Sequence, residues 1–144
     1  MKRVSYKKIL VALDTTGADL AVLSHVATVA RMFGSAVVVL HVADGWAARW
    51  FGSDAVSPEI QNDKAYLNSV RARLAAEGIQ AEAELAYGEP SEQIVQWVDK
   101  RGCDLLAMST HSHQLFTNVV LGMTVDKVRR AVTVPVLLVR AGWG

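Results

Sequence analysis

The chain has 144 residues, of which 51% are hydrophobic and 20% charged, and its formal net charge is +1. This composition predicts one well-cored globular domain over residues 1–144 and excludes a disordered chain. The nearly balanced charge argues against a nucleic-acid-binding or acidic-membrane surface, because those partners usually require a strong basic excess.

The single cysteine, Cys103, cannot form an internal disulfide, which fits a reducing compartment. The apolar run at 9–13 ends at Asp14 and is too short for the core of a signal peptide. No apolar run approaches the ~18 residues that a membrane-spanning helix needs. We therefore expect a cytoplasmic protein without a membrane partner.

A continuous apolar run at 9–13 predicts a strand that is buried on both faces, and the segment AVVVLHV at 36–42 predicts a second buried strand. Between them, apolar residues recur at helical spacing and predict a helix that ends at Gly34. The predicted buried stripe of this helix consists of Leu20, Leu23, Val26, Ala27, Ala30 and Phe33.

Ser57 and Pro58 predict the N-cap and first turn of a second helix, which continues to Gly78. The segment 79–85 alternates apolar with polar residues, so one face of this third strand is wet. Such a pattern is typical of a strand at the edge of a sheet.

Pro90 and Gly102 bracket a third helix, and a fourth strand follows at 104–109. A last helix is predicted at about 118–130, and Pro135 begins a fifth strand. Strands that alternate with helices predict a parallel sheet with right-handed crossovers and helices on both faces.

Residues 104–139 form a strand, a small and polar loop, a helix and another strand, which is a βαβ unit. Its loop gathers backbone N–H groups in front of a helix N-terminus, where a phosphate or another anion can bind. If the first and fourth strands are neighbours, Asp14 faces the loop from Ser109 to Ser112.

Small residues in this loop have a characteristic spacing: Ser109, two residues, Ser112, nine residues, Gly122, then Met123 and Thr124. The spacing resembles the glycine-rich loop of the universal stress protein family, which lines the phosphates of a bound adenine nucleotide. Two of the family's glycine positions are serine here, and Met123 stands at its hydroxyl position. The phosphate side therefore departs from the family pattern.

The resemblance covers essentially the whole chain, through ILVALD, VVVLHV, GEPSEQIV and the stretch from LLAMSTH to VPVLLVR. It implies a Rossmann-like, adenine nucleotide alpha hydrolase-like α/β domain of five parallel strands in the order 3-2-1-4-5. It also implies a regulatory role in stress response with bound ATP, ADP or AMP, where Mg²⁺ would accompany ATP. The implied nucleotide-binding residues are Ala12, Leu13, Asp14, Val42, Ser109, Thr110, Ser112, Gly122, Met123 and Thr124.

Asp14, His111 and His113 permit other interpretations. Asp14 is also a candidate N-cap for the helix that follows it. His111 and His113 are weak candidates for metal ligands. Ser109 or Ser112 with His111 and Asp14 has the residue types of a hydrolytic triad, but the chain lacks a G-x-S-x-G elbow. It also lacks a G-x-x-x-x-G-K-[ST] loop, so we expect no enzyme beyond weak nucleotide hydrolysis.

Two further features concern partners. The segment 43–57 has no clear periodicity and is a candidate lid. Its aromatic side chains favour an alternative function, in which the protein is a dimeric interaction module that binds a partner protein instead of a nucleotide. The fifth strand, 134–139, is apolar on both faces although the implied order makes it an edge. An apolar edge of this kind predicts a homodimer through the fifth strands, as the resemblance also implies.

Overall fold

The computed structural model describes residues 1–43, 58–110 and 124–141. Strands and helices alternate along the chain as the sequence predicts. The elements are β1 Lys8–Ala12, α1 Asp19–Phe33, β2 Ala36–Ala43, α2 Pro58–Ala76, β3 Ala81–Tyr87, α3 Pro90–Arg101, β4 Leu105–Thr110, α4 at 124–131 and β5 Val136–Arg140.

The five strands form one parallel sheet in the order β3-β2-β1-β4-β5, which confirms the predicted α/β fold and strand order. β1 lies at the centre, where Ile9 and Val11 belong to a core cluster with α1 and α2. Leu10 faces the other way and belongs to a cluster with α3 and α4. Each fully buried side chain of this kind contributes about 1.5–3 kcal/mol, so the centre of the sheet is held from both faces.

The buried face of α1 differs from the sequence prediction. Leu20 is 57% exposed and Phe33 is also exposed, whereas Val22 and Val26 are completely buried. The helix begins with the buried residue Asp19, and this polar side chain occupies the inward position of the first turn. Each residue rotates a helix by about 100°. The pattern of apolar residues alone therefore predicted the wrong inward-facing position in the first turn.

The predicted helix ends are confirmed where the structure describes them. Gly34 and Gly102 follow α1 and α3 in the left-handed conformation that commonly ends a helix. Glu89 is the N-cap of α3 and accepts the N–H of Glu92 at 2.9 Å, and Pro90 occupies the first turn.

The two edges of the sheet have different chemistry. β3 carries Glu82 and Glu84, which both form ion pairs with Arg101 of α3. β5 pairs only with β4 among the described strands, and Leu138 on it is 40% exposed. Val139, by contrast, is buried in the core.

Within the three described ranges, no helix has both the length and the apolar composition needed to cross a bilayer. The predicted lid lies outside the described residues except for its first residue, and so does the predicted start of the last helix at 118–123.

Candidate functional site

A cavity of about 170 Å³ opens at the carboxyl ends of β1, β2 and β4, where the order of the strands reverses. Ligands of open α/β sheets bind at this position. The cavity brings together six of the residues that the sequence singles out, namely Ala12, Leu13, Asp14, Val42, Ser109 and Thr124. Leu40, Met108 and Ile94 add apolar surface that the sequence analysis did not assign to the site.

The described part of the chain does not place the other predicted residues at this cavity. Thr110 ends β4 and does not line the cavity; its carbonyl accepts the N–H of Ala141 at 2.6 Å. The predicted residues Ser112, Gly122 and Met123 lie outside the described residues, as do His111 and His113. Among the residues that are described, no group of three His, Cys, Asp or Glu could hold a metal ion.

A larger groove of about 460 Å³ lies between α1 and α2, away from the strand ends. Its rim carries the Arg31–Glu77 ion pair, and both side chains are about half exposed. Because the groove is built from helix surfaces and lacks the backbone groups at the strand ends, the smaller cavity is the better candidate site.

The loop between β1 and α1 is held by a buried carboxylate. Asp19 accepts the backbone N–H of Asp14 at 2.8 Å and that of Thr15 at 2.9 Å. The hydroxyl of Tyr66, on α2, donates to the same carboxylate at 2.7 Å. Asp19 is completely buried, so these three donors replace the water that the carboxylate loses on folding.

These contacts overturn the alternative role of Asp14 as a helix cap. α1 begins five residues after Asp14, and Ala18, whose methyl group cannot cap, occupies the N-cap position. In a usual N-cap, a side chain before the helix accepts from amides of the first helical turn. Here a side chain of the helix accepts from amides of the loop that precedes it.

Burial raises the pKa of Asp19 above its usual 3.8, although the loop amides and Tyr66 act in the opposite direction. Burial of the Tyr66 side chain and its hydrogen bond to Asp19 raise the pKa of Tyr66. The phenol therefore stays protonated and available as a donor throughout the physiological range.

The pKa of Asp19 gives a testable dependence of stability on pH. Because its pKa is higher in the folded than in the unfolded chain, the folded protein binds this proton more tightly. The contribution of Asp19 to the free energy of unfolding should therefore fall as the pH rises from about 3.8 through its folded pKa. Urea unfolding of the wild type and Asp19→Asn between pH 4 and 7 tests this. As the pH rises, the free energy of unfolding of the wild type should fall relative to that of Asp19→Asn. A difference between the two proteins that stays constant with pH would contradict the prediction.

His41 ties the ends of β1 and β2 together beside the cavity. Its Nδ1 lies 2.7 Å from the carbonyl oxygen of Leu13, and since a carbonyl only accepts, Nδ1 carries the hydrogen. Its Nε2 lies 3.5 Å from a carboxylate oxygen of Asp63 on α2. Burial raises the pKa of Asp63, and His41 opposes that shift. Both ring nitrogens thus face acceptors, which fixes the ring next to Val42.

Ser109 has a structural use that the sequence did not reveal. Its hydroxyl donates to the carbonyl of Ala18 at 3.2 Å and so joins β4 to the start of α1. Its backbone continues the strand, and Thr15 is the only non-glycine residue with positive φ in the described ranges. A serine at this position therefore causes no backbone strain, although its hydroxyl faces the protein.

Asp19, Tyr66 and Asp63 are the residues of this region that the sequence analysis missed. For Asp63 a signal existed, because it falls in line with Ile60, Leu67 and the other buried residues of α2. A carboxylate on an otherwise apolar helix stripe indicates a buried polar contact. Asp19 had no comparable signal, because an acidic residue in a first helical turn is common.

Comparison with known proteins agrees with this fold. The sequence model of the universal stress protein family matches residues 5–140. A universal stress protein of Methanocaldococcus jannaschii is 26% identical over 142 residues, which cover 94% of this chain and 82% of that protein.

Two solved structures show the same fold with a ligand present. The universal stress protein of Archaeoglobus fulgidus in complex with dAMP has a TM-score of 0.69 at 24% identity. A universal stress protein in complex with cAMP has a TM-score of 0.71 at 18% identity. Each comparison covers 94% of this chain and 98% of the other chain.

Proposed function

The chain belongs to the universal stress protein family, and on that premise we propose that it binds an adenine nucleotide of the AMP type in a regulatory, non-catalytic role. The observation that carries this proposal is that Asp14 and Val42 line one cavity at the switch point of the sheet. The family resemblance implies both positions as nucleotide-binding residues, and they come from separate parts of the sheet: Asp14 follows β1, and Val42 lies on β2.

The cavity suits the nucleoside part of such a ligand. Val42, Leu40 and Ile94 give it an apolar wall against which a flat ring can pack. Asp14 adds a carboxylate that can accept from N–H or hydroxyl groups of the ligand. At about 170 Å³, the cavity is smaller than the ~300–1,000 Å³ of complete small-molecule sites, so it would hold only part of such a ligand.

The phosphate side favours a short phosphate chain. The hydroxyl of Ser109 is engaged by Ala18, and Met123 supplies no hydroxyl where the family has one. The two related structures hold dAMP and cAMP, which each carry one phosphate. We therefore expect AMP to bind at least as well as ATP, with Mg²⁺ needed only if ATP binds.

The direct test is to purify the protein, denature it, and identify any released nucleotide by chromatography and mass spectrometry. Isothermal titration calorimetry of the nucleotide-free protein with AMP, cAMP and ATP then gives the affinities. Release of an adenine nucleotide near one per chain, or a calorimetric signal with AMP, supports the proposal. A nucleotide-free protein that gives no signal with any of the three rejects it.

The phosphate loop gives a separate prediction. If Ser109, Ser112 and Met123 limit the binding of longer phosphate chains, the triple variant Ser109→Gly, Ser112→Gly, Met123→Ser should gain affinity for ATP more than for AMP. Glycine and serine would restore the family pattern in the loop. Calorimetry with both nucleotides measures the gain, and Ser69→Gly on α2 serves as a control. An equal gain for both ligands would show that the loop does not select by phosphate number.

The second candidate function is an interaction module that acts as a dimer on a partner protein. The exposed Leu138 on the β5 edge is the observation that favours it. The aromatic segment that first suggested it lies outside the described residues. The calorimetric experiment separates the two functions, because only the nucleotide-binding domain gives heat with AMP.

A further inference from the structure

The loop after β1 has an unusual backbone. Thr15 has a φ of 62°, in the left-handed region. Residues that branch at Cβ rarely adopt this conformation, because the side chain crowds the backbone. The hydroxyl of Thr15 donates to the carbonyl of Asp14 at 2.6 Å, but this bond lies within the loop and does not tie it to the rest of the fold.

The tie to the rest of the fold comes from Asp19. Its Oδ1 accepts from the amide of Asp14, and its Oδ2 accepts from the amide of Thr15. One buried carboxylate thus binds two consecutive amides, one on each side of the Cα of Asp14, directly before the left-handed residue. Such strained conformations persist only where their surroundings impose them.

Tyr66 extends this arrangement to α2. Its hydroxyl donates to the same Oδ2 that holds Thr15, so the carboxylate cannot rotate without losing a second bond. The buried base of α1 and the middle of α2 therefore fix the backbone of Asp14 at the rim of the cavity.

We infer that Asp19 is a positioning residue of the ligand site: through the Asp14 and Thr15 amides it sets where Asp14 stands in the cavity. It does not itself line that cavity. This inference rests on the proposed function and adds to it a residue at a distance from the ligand.

The test compares Asp19→Asn with a control at the other end of the same strand. An asparagine has one carbonyl oxygen and an NH₂ group, so one of the two loop amides would face a donor. Asp104 binds the amides of Lys7 and Lys8 at 2.9 and 3.0 Å in the same two-amide pattern, but at the amino end of β1. Asp104→Asn therefore reproduces the chemical change away from the cavity.

Two measurements are made on each full-length variant. Calorimetry with AMP should show at least a tenfold loss of affinity for Asp19→Asn and less than a twofold change for Asp104→Asn. Amide hydrogen exchange without ligand, followed by NMR, should show faster exchange at Asp14 or Thr15 only in Asp19→Asn.

A rescue variant separates positioning from general loss of structure. Glycine adopts positive φ without strain, so Thr15→Gly added to Asp19→Asn should recover at least threefold of the lost AMP affinity. If Asp19→Asn alone fails to fold, Tyr66→Phe takes its place, because it removes one bond to the carboxylate and keeps both amide bonds. We expect it to weaken AMP binding two- to fivefold.

Affinity within twofold of the wild type in a folded Asp19→Asn, or in Tyr66→Phe where it is used instead, would overturn the inference. Equal losses in Asp19→Asn and Asp104→Asn would also overturn it. If the wild type binds no adenine nucleotide, the proposed function fails by itself. In that case amide hydrogen exchange alone tests whether Asp19 holds the loop. Unchanged exchange rates at both loop amides in Asp19→Asn would reject this role.

Discussion

Replacing Asp14 by alanine should weaken AMP binding by about 1–3 kcal/mol, or roughly fivefold to 150-fold. Asp14 lines the cavity, and its removal would leave a donor of the ligand without its partner. Asp14→Asn keeps one acceptor oxygen, so we expect an intermediate loss. Calorimetry on the nucleotide-free protein measures all three affinities.

Asp126→Ala provides the control for this series. Asp126 lies on α4, where its carboxylate pairs with Arg129 and Arg130 at the surface. Exposed pairs of this kind contribute little to stability, so this variant should bind AMP like the wild type. Unchanged affinity in Asp14→Ala would remove Asp14 from the site and, with it, the main support for the proposed nucleoside position.

Replacing Leu138 by lysine should convert a dimer into a monomer. We propose that two chains associate through their β5 edges, because this edge carries an exposed leucine and is unpaired among the described strands. A lysine there would place a charge in the interface of each chain. Light scattering at micromolar concentration should give a mass near twice 15.6 kDa for the wild type and near 15.6 kDa for the variant.

The position of the substitution matters, because neighbouring residues of β5 face the core. Val139 is buried, so a lysine there would report on folding instead of assembly. Leu20→Lys is the matched control, since this exposed leucine lies beside the groove between α1 and α2 and not on a sheet edge. A monomeric wild type would reject the dimer.

The fold was largely predictable from the sequence because its strongest signals are local. β1 and β2 largely coincide with apolar runs at 9–13 and 36–40, and a parallel sheet covered on both faces buries such runs. The glycines and prolines between them mark helix ends that depend on backbone geometry alone. The strand order came from the family resemblance, since no local signal fixes which strands are neighbours.

The contacts that shape the candidate site were not predictable in this way. Asp19 and Tyr66 lie 47 positions apart in the chain, and their meeting depends on how α1 and α2 pack against the sheet. The role of Ser109 likewise depends on a carbonyl 91 positions away. Composition and periodicity contain no information on which residues meet in such pairs.

If two chains pair through β5 as we propose, the charged β3 edge of the sheet would limit further assembly. Glu82 and Glu84 project from β3 and are bridged by Arg101, so a strand from another molecule would have to approach two carboxylates that already have a partner. A sheet with two bare edges can grow without end into a fibre, whereas a sheet with one protected edge stops after a single pairing. We therefore expect that replacing Glu82 and Glu84 by threonine would allow association beyond the dimer, which light scattering would detect as a mass above twice 15.6 kDa.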